Sequence, residues 1–148
     1  MSNYTQIYYQ IVFSTKHRNA AIDVKYDREL YKYIYGIVKQ KKCKLYRING
    51  VEDHIHLFTS LHPTLALCNF IKDIKVASSL WMRESGLFPL FNGWQLGYGA
   101  FTYFIIERDK IINYVKKQKT HHSKETYYDE FKRLLAEHGV EFDERFLL

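Results

Sequence analysis

The chain has 148 residues, of which 47% are hydrophobic and 26% are charged. These proportions exclude a disordered or fibrous chain and are typical of one soluble globular domain, which we predict to cover residues 1–148. The net charge of +6 favours a polyanionic partner, and the 13 tyrosines could stack on the bases of single-stranded nucleic acid between basic side chains.

Neither the apolar runs nor the cysteines indicate a membrane protein or an extracellular protein. No apolar run approaches the roughly 20 residues that span a bilayer. The first ten residues also lack the basic start and the apolar centre of a signal peptide. The two cysteines, Cys43 and Cys68, lack the spacing of a disulfide framework or a thiol metal site. We therefore expect a cytoplasmic protein without membrane contact.

Hydrophobic periodicity predicts a strand, a helix and a hairpin in the first part of the chain. Residues 4–14 alternate in character and are rich in β-branched and aromatic side chains, as in a strand. Residues 26–42 carry apolar side chains at helical spacing, with an acidic start and a basic end. Two further strands, residues 43–48 and 51–61, flank Asn49-Gly50, the strongest short turn signal in the chain.

The second part of the chain is predicted to hold a long helix, one more strand and two C-terminal helices. The long helix covers residues 65–84, and the fourth strand covers residues 100–106. Helices over residues 108–119 and 124–138 follow, and the chain ends in an apolar-ended tail, residues 142–148. The order of elements is therefore βαββαβ followed by two helices.

This order predicts an α+β protein with the ferredoxin-like (RRM-like) βαββαβ fold, an antiparallel sheet with additional C-terminal helices. In that fold the first and third strands are central, and two helices cover one face of the sheet. Alternation along the third strand turns Ile55 and Leu57 toward those helices. His54, His56 and Phe58 then point to the other face, which a further element must cover or use.

His54 and His56 place two imidazoles side by side on one face of a strand. A single His-x-His pair is a weak signal, since a strand histidine is more often a hydrogen-bonded structural residue. Asp53 strengthens the metal interpretation, because a ligating imidazole needs an acceptor on its other ring nitrogen to fix its tautomer. Two neutral imidazoles in this arrangement can hold a divalent cation.

The helix predicted over residues 108–119 carries a tyrosine outside its apolar stripe. Positive charge near Tyr114 would favour a phenolate that attacks phosphate. Gln118, one turn further, can offer its side-chain oxygen as a neutral third metal ligand. The alternative is a solvated helix face that happens to hold a tyrosine. The sector of Tyr114 also contains Lys110, Lys117, Gln118 and His121.

His121 and His122 follow the basic end of this helix. We expect them to complement the negative end of the helix dipole or to contact phosphate groups of a nucleic acid. A zinc site built from these two histidines lacks partners at the usual spacing.

Four segments, DHIHLF, IKDIKVASSLWM, GWQLGYGAFTYF and INYVKKQKTHH, occur in this order along nearly the whole chain. Together they resemble the insertion sequence 200/605 family of single-tyrosine HUH transposases. The resemblance implies that His54 and His56 bind Mg²⁺ or Mn²⁺ and that Gln118 completes the metal site. It also implies that Tyr114 forms a 5′-phosphotyrosine link to single-stranded DNA. Glu52 departs from the family pattern, in which Pro precedes the Asp-His pair.

The resemblance also implies a homodimer with joined sheets that acts on hairpin-bearing ends of a mobile element. No nucleotide cofactor is needed, because the covalent intermediate conserves the phosphodiester bond. In the family the tyrosine helix of one subunit often serves the histidine pair of the other, so the helix over the second sheet face comes from this chain or from a partner. The basic side chains expected at the DNA are Lys16, Arg18, Lys72, Lys75, Lys110, Lys117 and His121.

Three other interpretations stay open. A domesticated, repeat-associated relative would have the same chemistry without a mobile element. A non-catalytic nucleic-acid-binding module would use the same fold, although it does not explain why the tyrosine, the glutamine and the histidine pair occur together. A metal phosphoesterase would hydrolyse with water and never use Tyr114, but the absence of a second histidine motif argues against it.

Overall fold

The computed structural model of the chain describes residues 3–147 and contains a four-stranded antiparallel sheet. The strands are β1 (Tyr8–Ser14), β2 (Lys44–Gly50), β3 (His54–Ser60) and β4 (Gly99–Tyr103). They pair in the order β2-β3-β1-β4, so β1 and β3 are central, as predicted. The first strand begins four residues later than predicted, at the residue where it pairs with β4.

Five α-helices lie within the described residues. They are α1 (Asp27–Gln40), α2 (Leu67–Ser85), α3 (Arg108–Lys116), α4 (Gln118–His121) and α5 (Tyr127–Glu137). The expected βαββαβ order followed by C-terminal helices is confirmed. Over the part of the chain that the structure describes, no helix combines the length and the apolar character needed to cross a membrane. Leu148, the end of the predicted tail, lies outside the described residues, as do the first two residues of the chain.

One face of the sheet packs on α1 and α2. Ile11 of β1 and Ile55 and Leu57 of β3 are fully buried there. They pack in one cluster with Ile34 of α1 and Ile74 of α2. Each such side chain contributes about 1.5–3 kcal/mol through the apolar area it removes from water. The predicted inward orientation of the third strand is confirmed.

The other face of the sheet is covered by α3 and α5 of the same chain. Phe58 of β3 packs against Ile111 and Val115 of α3. Val12 of β1 packs against Leu134 of α5. The two histidines of β3 lie on this face, so they are enclosed between the sheet and the C-terminal helices.

The predicted turn at Asn49-Gly50 is wrong, because both residues belong to β2. The chain turns back one step later, where the Val51 N–H donates to the His54 carbonyl oxygen at 3.1 Å. A Cβ atom on Gly50 would lie 2.2 Å from that same carbonyl oxygen. Glycine is therefore required by the close approach of two strands and not by a tight turn.

The predicted helix over residues 108–119 is broken at Lys117. This residue has φ −95° and ψ 17° and separates the end of α3 from Gln118 at the start of α4. The Lys116 carbonyl oxygen, at the end of α3, accepts a hydrogen bond from Asn49 Nδ2 at 2.8 Å. Beyond the break, Gln118 is fully buried and does not lie on a solvated helix face.

The position of α5 over the sheet is set by a capped start and a close contact with β4. Thr126 precedes the helix and its hydroxyl accepts from the Asp129 N–H at 3.2 Å, which is an N-cap. A Cβ atom on Gly99 of β4 would lie 2.4 Å from the ring of Phe131. Because no side chain stands between them, α5 approaches the sheet closely and carries Glu130 into the space above the histidines.

Candidate active site

Three imidazoles converge on one carboxylate oxygen of Glu130. The Nε2 atoms of His56 and His122 each lie 2.9 Å from Glu130 Oε1, and His54 Nε2 lies 3.3 Å from it. Glu130 and the two strand histidines are fully buried. A buried carboxylate is stable only where charged or hydrogen-bonding partners compensate for the lost water, and here the imidazoles supply them.

The second carboxylate oxygen of Glu130 binds the tyrosine segment. The Tyr114 hydroxyl donates to Oε2, and Gln118 Nε2 donates to the same atom at 3.2 Å. Arg133, one turn further along α5, donates from Nη2 to the Tyr114 hydroxyl oxygen at 2.7 Å. One carboxylate therefore joins the histidine pair and the tyrosine within a single chain.

The outer ring nitrogens of the strand histidines have defined partners. His54 Nδ1 donates to Asp53 Oδ1 at 2.7 Å, so the carboxylate expected beside this histidine is confirmed. His56 Nδ1 donates to Gln10 Oε1 at 2.8 Å. The inner Nε2 atoms of both imidazoles face Glu130.

The site contains buried polar atoms that a bound cation would satisfy. His54 Nε2 makes no hydrogen bond to any described residue, although Glu130 Oε1 lies within ion-pair distance. Gln118 Oε1 is likewise buried without a hydrogen bond in the described chain. A buried polar group left unpaired costs about 1–3 kcal/mol. The donor set and these unpaired atoms fit a divalent metal ion.

Burial and the shared carboxylate set the protonation of the cluster. Burial lowers the pKa of His56 to about 4, so this imidazole is neutral at pH 7. Burial also lowers the pKa of His54, but the neighbouring carboxylates of Asp53 and Glu130 outweigh this effect and the net pKa is raised. Burial raises the pKa of Glu130, but the surrounding imidazoles outweigh it and hold the pKa well below its usual range. The carboxylate is therefore ionised.

The phenol of Tyr114 is held in its protonated form. Burial raises its pKa, the Glu130 carboxylate raises it further, and the Arg133 guanidinium opposes this only in part. Among the described residues the cation that contacts the hydroxyl is Arg133, and not Lys110 or Lys117 as the sequence suggested. Ionisation of this phenol therefore requires a change in its surroundings, such as the arrival of a cation or a substrate.

A cavity of about 790 Å³ opens beside Tyr114. Its lining combines basic groups with the rings of Tyr103 and Phe104. This combination suits single-stranded nucleic acid, because the cations bind phosphates and the rings stack on bases. The basic residues of the lining are Lys110, Lys117, His121, Lys124, Arg133 and His138.

The other four basic residues expected at the DNA do not line this cavity. Lys72 and Lys75 lie on α2, which packs on the opposite face of the sheet. Lys75 Nζ donates to two backbone carbonyl oxygens of the loop before β4, at 2.9 Å and 2.6 Å, so it fastens that loop. Lys16 and Arg18 follow β1 and are exposed, and the Arg18 guanidinium lies 5.5 Å from the ring centre of Tyr128 on α5.

The contribution of α5 to the site was not predicted from the sequence. Neither Glu130 nor Arg133 was assigned a role, although Glu130 interrupts the apolar stripe of its helix between Tyr127 and Leu134. A carboxylate at a buried helix position is a signal for a partner of opposite charge. That signal was visible in the sequence, whereas the identity of the partner was not.

His122 has neighbours for a metal site that its local sequence spacing does not show. Its Nε2 atom lies within 4.8 Å of ligand atoms from His54, His56 and Glu130. These partners come from β3 and α5, so no local spacing pattern could reveal them. Within the described residues, His121 joins a second group, with Glu125 and Glu130.

A family model described as transposase IS200 like matches residues 3–118 of the chain. The matched region includes the histidine pair of β3 and the tyrosine of α3 and ends at Gln118, so α5 lies beyond it. No curated protein matches the sequence.

Two solved structures share the fold. A protein assigned as a transposase in Deinococcus radiodurans has 22% sequence identity and a TM-score of 0.63, with 80% of this chain and 95% of that chain covered. A REP-associated tyrosine transposase bound to a REP hairpin has 15% identity and a TM-score of 0.59, with 82% of this chain and 74% of that chain covered. At these identities the likeness establishes the fold.

Proposed function

Because this chain belongs to the IS200-like transposase family, we propose that it cleaves and rejoins single-stranded DNA with Tyr114 as the nucleophile. One observation carries the proposal. The Tyr114 hydroxyl and the imidazoles of His54 and His56 all contact the same carboxylate, that of Glu130. This shared contact supports a site in which the nucleophile and the metal-binding histidines act together.

The reaction is a transesterification at phosphorus. The phenol oxygen of Tyr114 forms a bond to the phosphorus, and the bond from phosphorus to the DNA 3′ oxygen breaks. The phenol loses its proton, and the released 3′ oxygen takes one up. The 5′-phosphotyrosine keeps a phosphodiester linkage, so a different 3′ hydroxyl can reverse the step and join new DNA without a nucleotide cofactor.

Side chains of α3 and α5 prepare this step. Arg133 Nη2 lies 2.7 Å from the phenol oxygen of Tyr114 and stabilises the negative charge that develops when the phenol ionises. Lys110 and Lys117 line the cavity beside the tyrosine and attract the phosphates of the strand. The aromatic lining contributes stacking surface for the flanking bases.

The proposed metal ligands are His54 and His56, with a third ligand from the side chains around them. Gln118 is the third ligand expected from the sequence, and it is fully buried next to Glu130. Mg²⁺ or Mn²⁺ bound there would polarise a phosphate oxygen and orient the scissile bond.

Hairpin-bearing DNA and a homodimer complete the proposal. The structural relative that is bound to a REP hairpin supports a substrate of this kind. Ile105 and Ile106 follow the edge strand β4 and are 47% and 83% exposed, which supports a second copy that covers this edge. Light scattering should give the mass of two chains, whereas the mass of one chain would contradict the dimer.

A covalent trap tests the assignment of the nucleophile. The protein is incubated with Mn²⁺ and 3′-labelled single-stranded DNA that carries a hairpin, and the products are separated under denaturing conditions. We expect a labelled protein band for the wild type and none for Tyr114→Phe. Tyr35→Phe is the matched control, because Tyr35 lies on α1 and is 51% exposed, and it should react like the wild type. An adduct with Tyr114→Phe would mean that another residue attacks.

The same trap separates the alternative functions. A metal phosphoesterase that uses water would cut the DNA without forming an adduct, and its cleavage activity would be unchanged in Tyr114→Phe. A non-catalytic binding module would retain the DNA uncut. A domesticated, repeat-associated relative would form the same adduct, because it differs in its DNA partner and not in its chemistry.

A further inference from the structure

We propose that Glu130 and His122 are resident ligands of the metal, so that three imidazoles and one carboxylate hold the ion. The inference rests on the proposed metal binding by the histidine pair of β3. Both added ligands lie beyond residues 3–118, the part of the chain that matches the family model. Glu130 lies on α5, and His122 follows α4.

The distances between the ligand atoms suit a single coordination sphere. The Nε2 atoms of His56 and His122 are 2.9 Å from Glu130 Oε1, and that of His54 is 3.3 Å from it. All four ligand atoms lie within 4.8 Å of one another. Tetrahedral ligands about 2.0–2.1 Å from a metal are about 3.3 Å apart. Small side-chain adjustments would therefore suffice to admit an ion.

His54 provides independent evidence that the cluster is suited to a cation. Its Nδ1–H is committed to Asp53. Its Nε2 atom is fully buried, faces Glu130 and makes no hydrogen bond to the residues that the structure describes. A ring nitrogen this close to a carboxylate oxygen requires a positive charge between the two atoms, from a proton or from a metal ion. A divalent ion would satisfy this imidazole together with those of His56 and His122.

Gln118 and Tyr114 both bind the second oxygen of the Glu130 carboxylate. The Gln118 Nε2 atom donates to Glu130 Oε2 at 3.2 Å, so the amide turns its hydrogen-bearing nitrogen toward the carboxylate. The Tyr114 hydroxyl donates to the same oxygen. These two hydrogen bonds fix Oε2 and leave Oε1 to the three imidazoles. The nucleophile is thereby tethered to a ligand of the metal.

The donor set predicts which ions bind best. Imidazole nitrogen suits transition-metal ions, whereas Mg²⁺ prefers oxygen ligands and water. Three imidazoles and one carboxylate should therefore bind Mn²⁺ at least about tenfold more tightly than Mg²⁺. Equal affinities for the two ions would contradict the proposed donor set.

Titration of the DNA-free protein with Mn²⁺ tests the two added ligands. Glu130→Gln and His122→Ala should each weaken Mn²⁺ binding by at least about tenfold, since even the loss of a hydrogen-bonded neighbour of a ligand costs that much. Glu137→Gln is the matched control, because Glu137 lies on the same helix with its side chain 52% exposed, and it should bind like the wild type. If either test variant bound Mn²⁺ as tightly as the wild type, the inference would be wrong.

A second measurement does not depend on whether a variant folds. Pulsed electron paramagnetic resonance of Mn²⁺ bound to the wild type should count three directly coordinated imidazole nitrogens, and a count of two would overturn the inference.

These measurements use no DNA, so their failure is distinct from failure of the proposed function. Three coordinated imidazoles without any DNA adduct would refute the transesterification and leave the metal set intact. A Tyr114 adduct with only two coordinated imidazoles would refute the proposed metal ligands and leave the transesterification intact.

Discussion

Asp53 prepares His54 for its role through one hydrogen bond. Its Oδ1 atom accepts from His54 Nδ1 at 2.7 Å, which fixes the ring proton on the outer nitrogen. The inner nitrogen is then free to face the site. The Asp53 side chain is 29% exposed, so this anchor acts from the rim of the site and can be changed without opening the core.

Asp53→Ala should weaken Mn²⁺ binding about 10–100-fold, because the His54 ring would no longer be held in one tautomer and orientation. Calorimetric titration measures this change. Asp23→Ala, at an exposed position in the loop before α1, should leave the affinity unchanged. Wild-type affinity in the Asp53 variant would mean that other contacts orient the imidazole.

Arg133→Met should slow adduct formation about 10²–10³-fold, because the guanidinium no longer offsets charge on the phenol oxygen. Mn²⁺ affinity should stay near the wild-type value, since Arg133 contacts Tyr114 and not the histidines. Quenched time courses of the labelled adduct measure the rate. Arg145→Met, at a side chain that is 80% exposed, is the control. A wild-type rate in the Arg133 variant would remove this residue from the mechanism.

At the scale of single residues, the sequence predicts those site residues whose partners are close to them along the chain. His54 and His56 share a strand face, and Tyr114 and Gln118 are four residues apart in the sequence, so both patterns can be recognised without the structure. Glu130 could not be assigned, because its partners lie on β3 and α3 and only the fold brings them together.

α5 is the element that carries Glu130 and Arg133 over the sheet. Its separation from β4 depends on Gly99, where a Cβ atom would lie 2.4 Å from the ring of Phe131. A displaced α5 would move both functional side chains at once. The geometry of the site is therefore sensitive to a residue that touches none of its ligands.

Gly99→Ala should lower the free energy of unfolding by about 1–3 kcal/mol, because Phe131 must shift to relieve the overlap. Mn²⁺ affinity should fall as well, since α5 moves with the ring. Gly36→Ala is the control, because nothing lies within 4 Å of a Cβ atom there and alanine favours the helix. Urea denaturation measures both variants. A Gly99 variant as stable as the wild type would show that the ring of Phe131 can move aside without a cost in free energy.

Two element boundaries near the site were predicted wrongly, and the reason is the same for both. Asn49 reads as a turn residue, but its side chain bonds Lys116 O and Lys119 Nζ and ties β2 to α3 and α4. The break at Lys117 lies at the same junction. In both places contacts between distant segments override the local preference of the sequence.

On the scale of the whole molecule, the site joins the central sheet to the C-terminal segment. The histidine pair belongs to β3, whereas His122 follows α4 and Glu130 lies on α5. The βαββαβ order was predictable, because each element has its own periodicity. The sequence could not predict which chain supplies the helix over the second sheet face. The same helix from a partner subunit would fit the sequence pattern equally well.

Bound Mn²⁺ should raise the melting temperature, because an ion that binds only the folded state stabilises it. At a concentration 100 times the dissociation constant the gain is about 2.7 kcal/mol. For a chain of this length we expect a shift of about 5–10 °C. The His54→Ala/His56→Ala double variant should show no shift. If Mn²⁺ left the wild-type melting temperature unchanged, metal binding at this site would be contradicted.

The central claim is that Tyr114 becomes covalently linked to DNA, and peptide mass spectrometry of the trapped adduct tests it most directly. After digestion with trypsin and nuclease, the peptide of residues 111–116 should carry the added mass of a 5′-phosphonucleotide on its tyrosine. The same mass on any other peptide, or unmodified peptides throughout a wild-type reaction that has cut its DNA, would contradict the account.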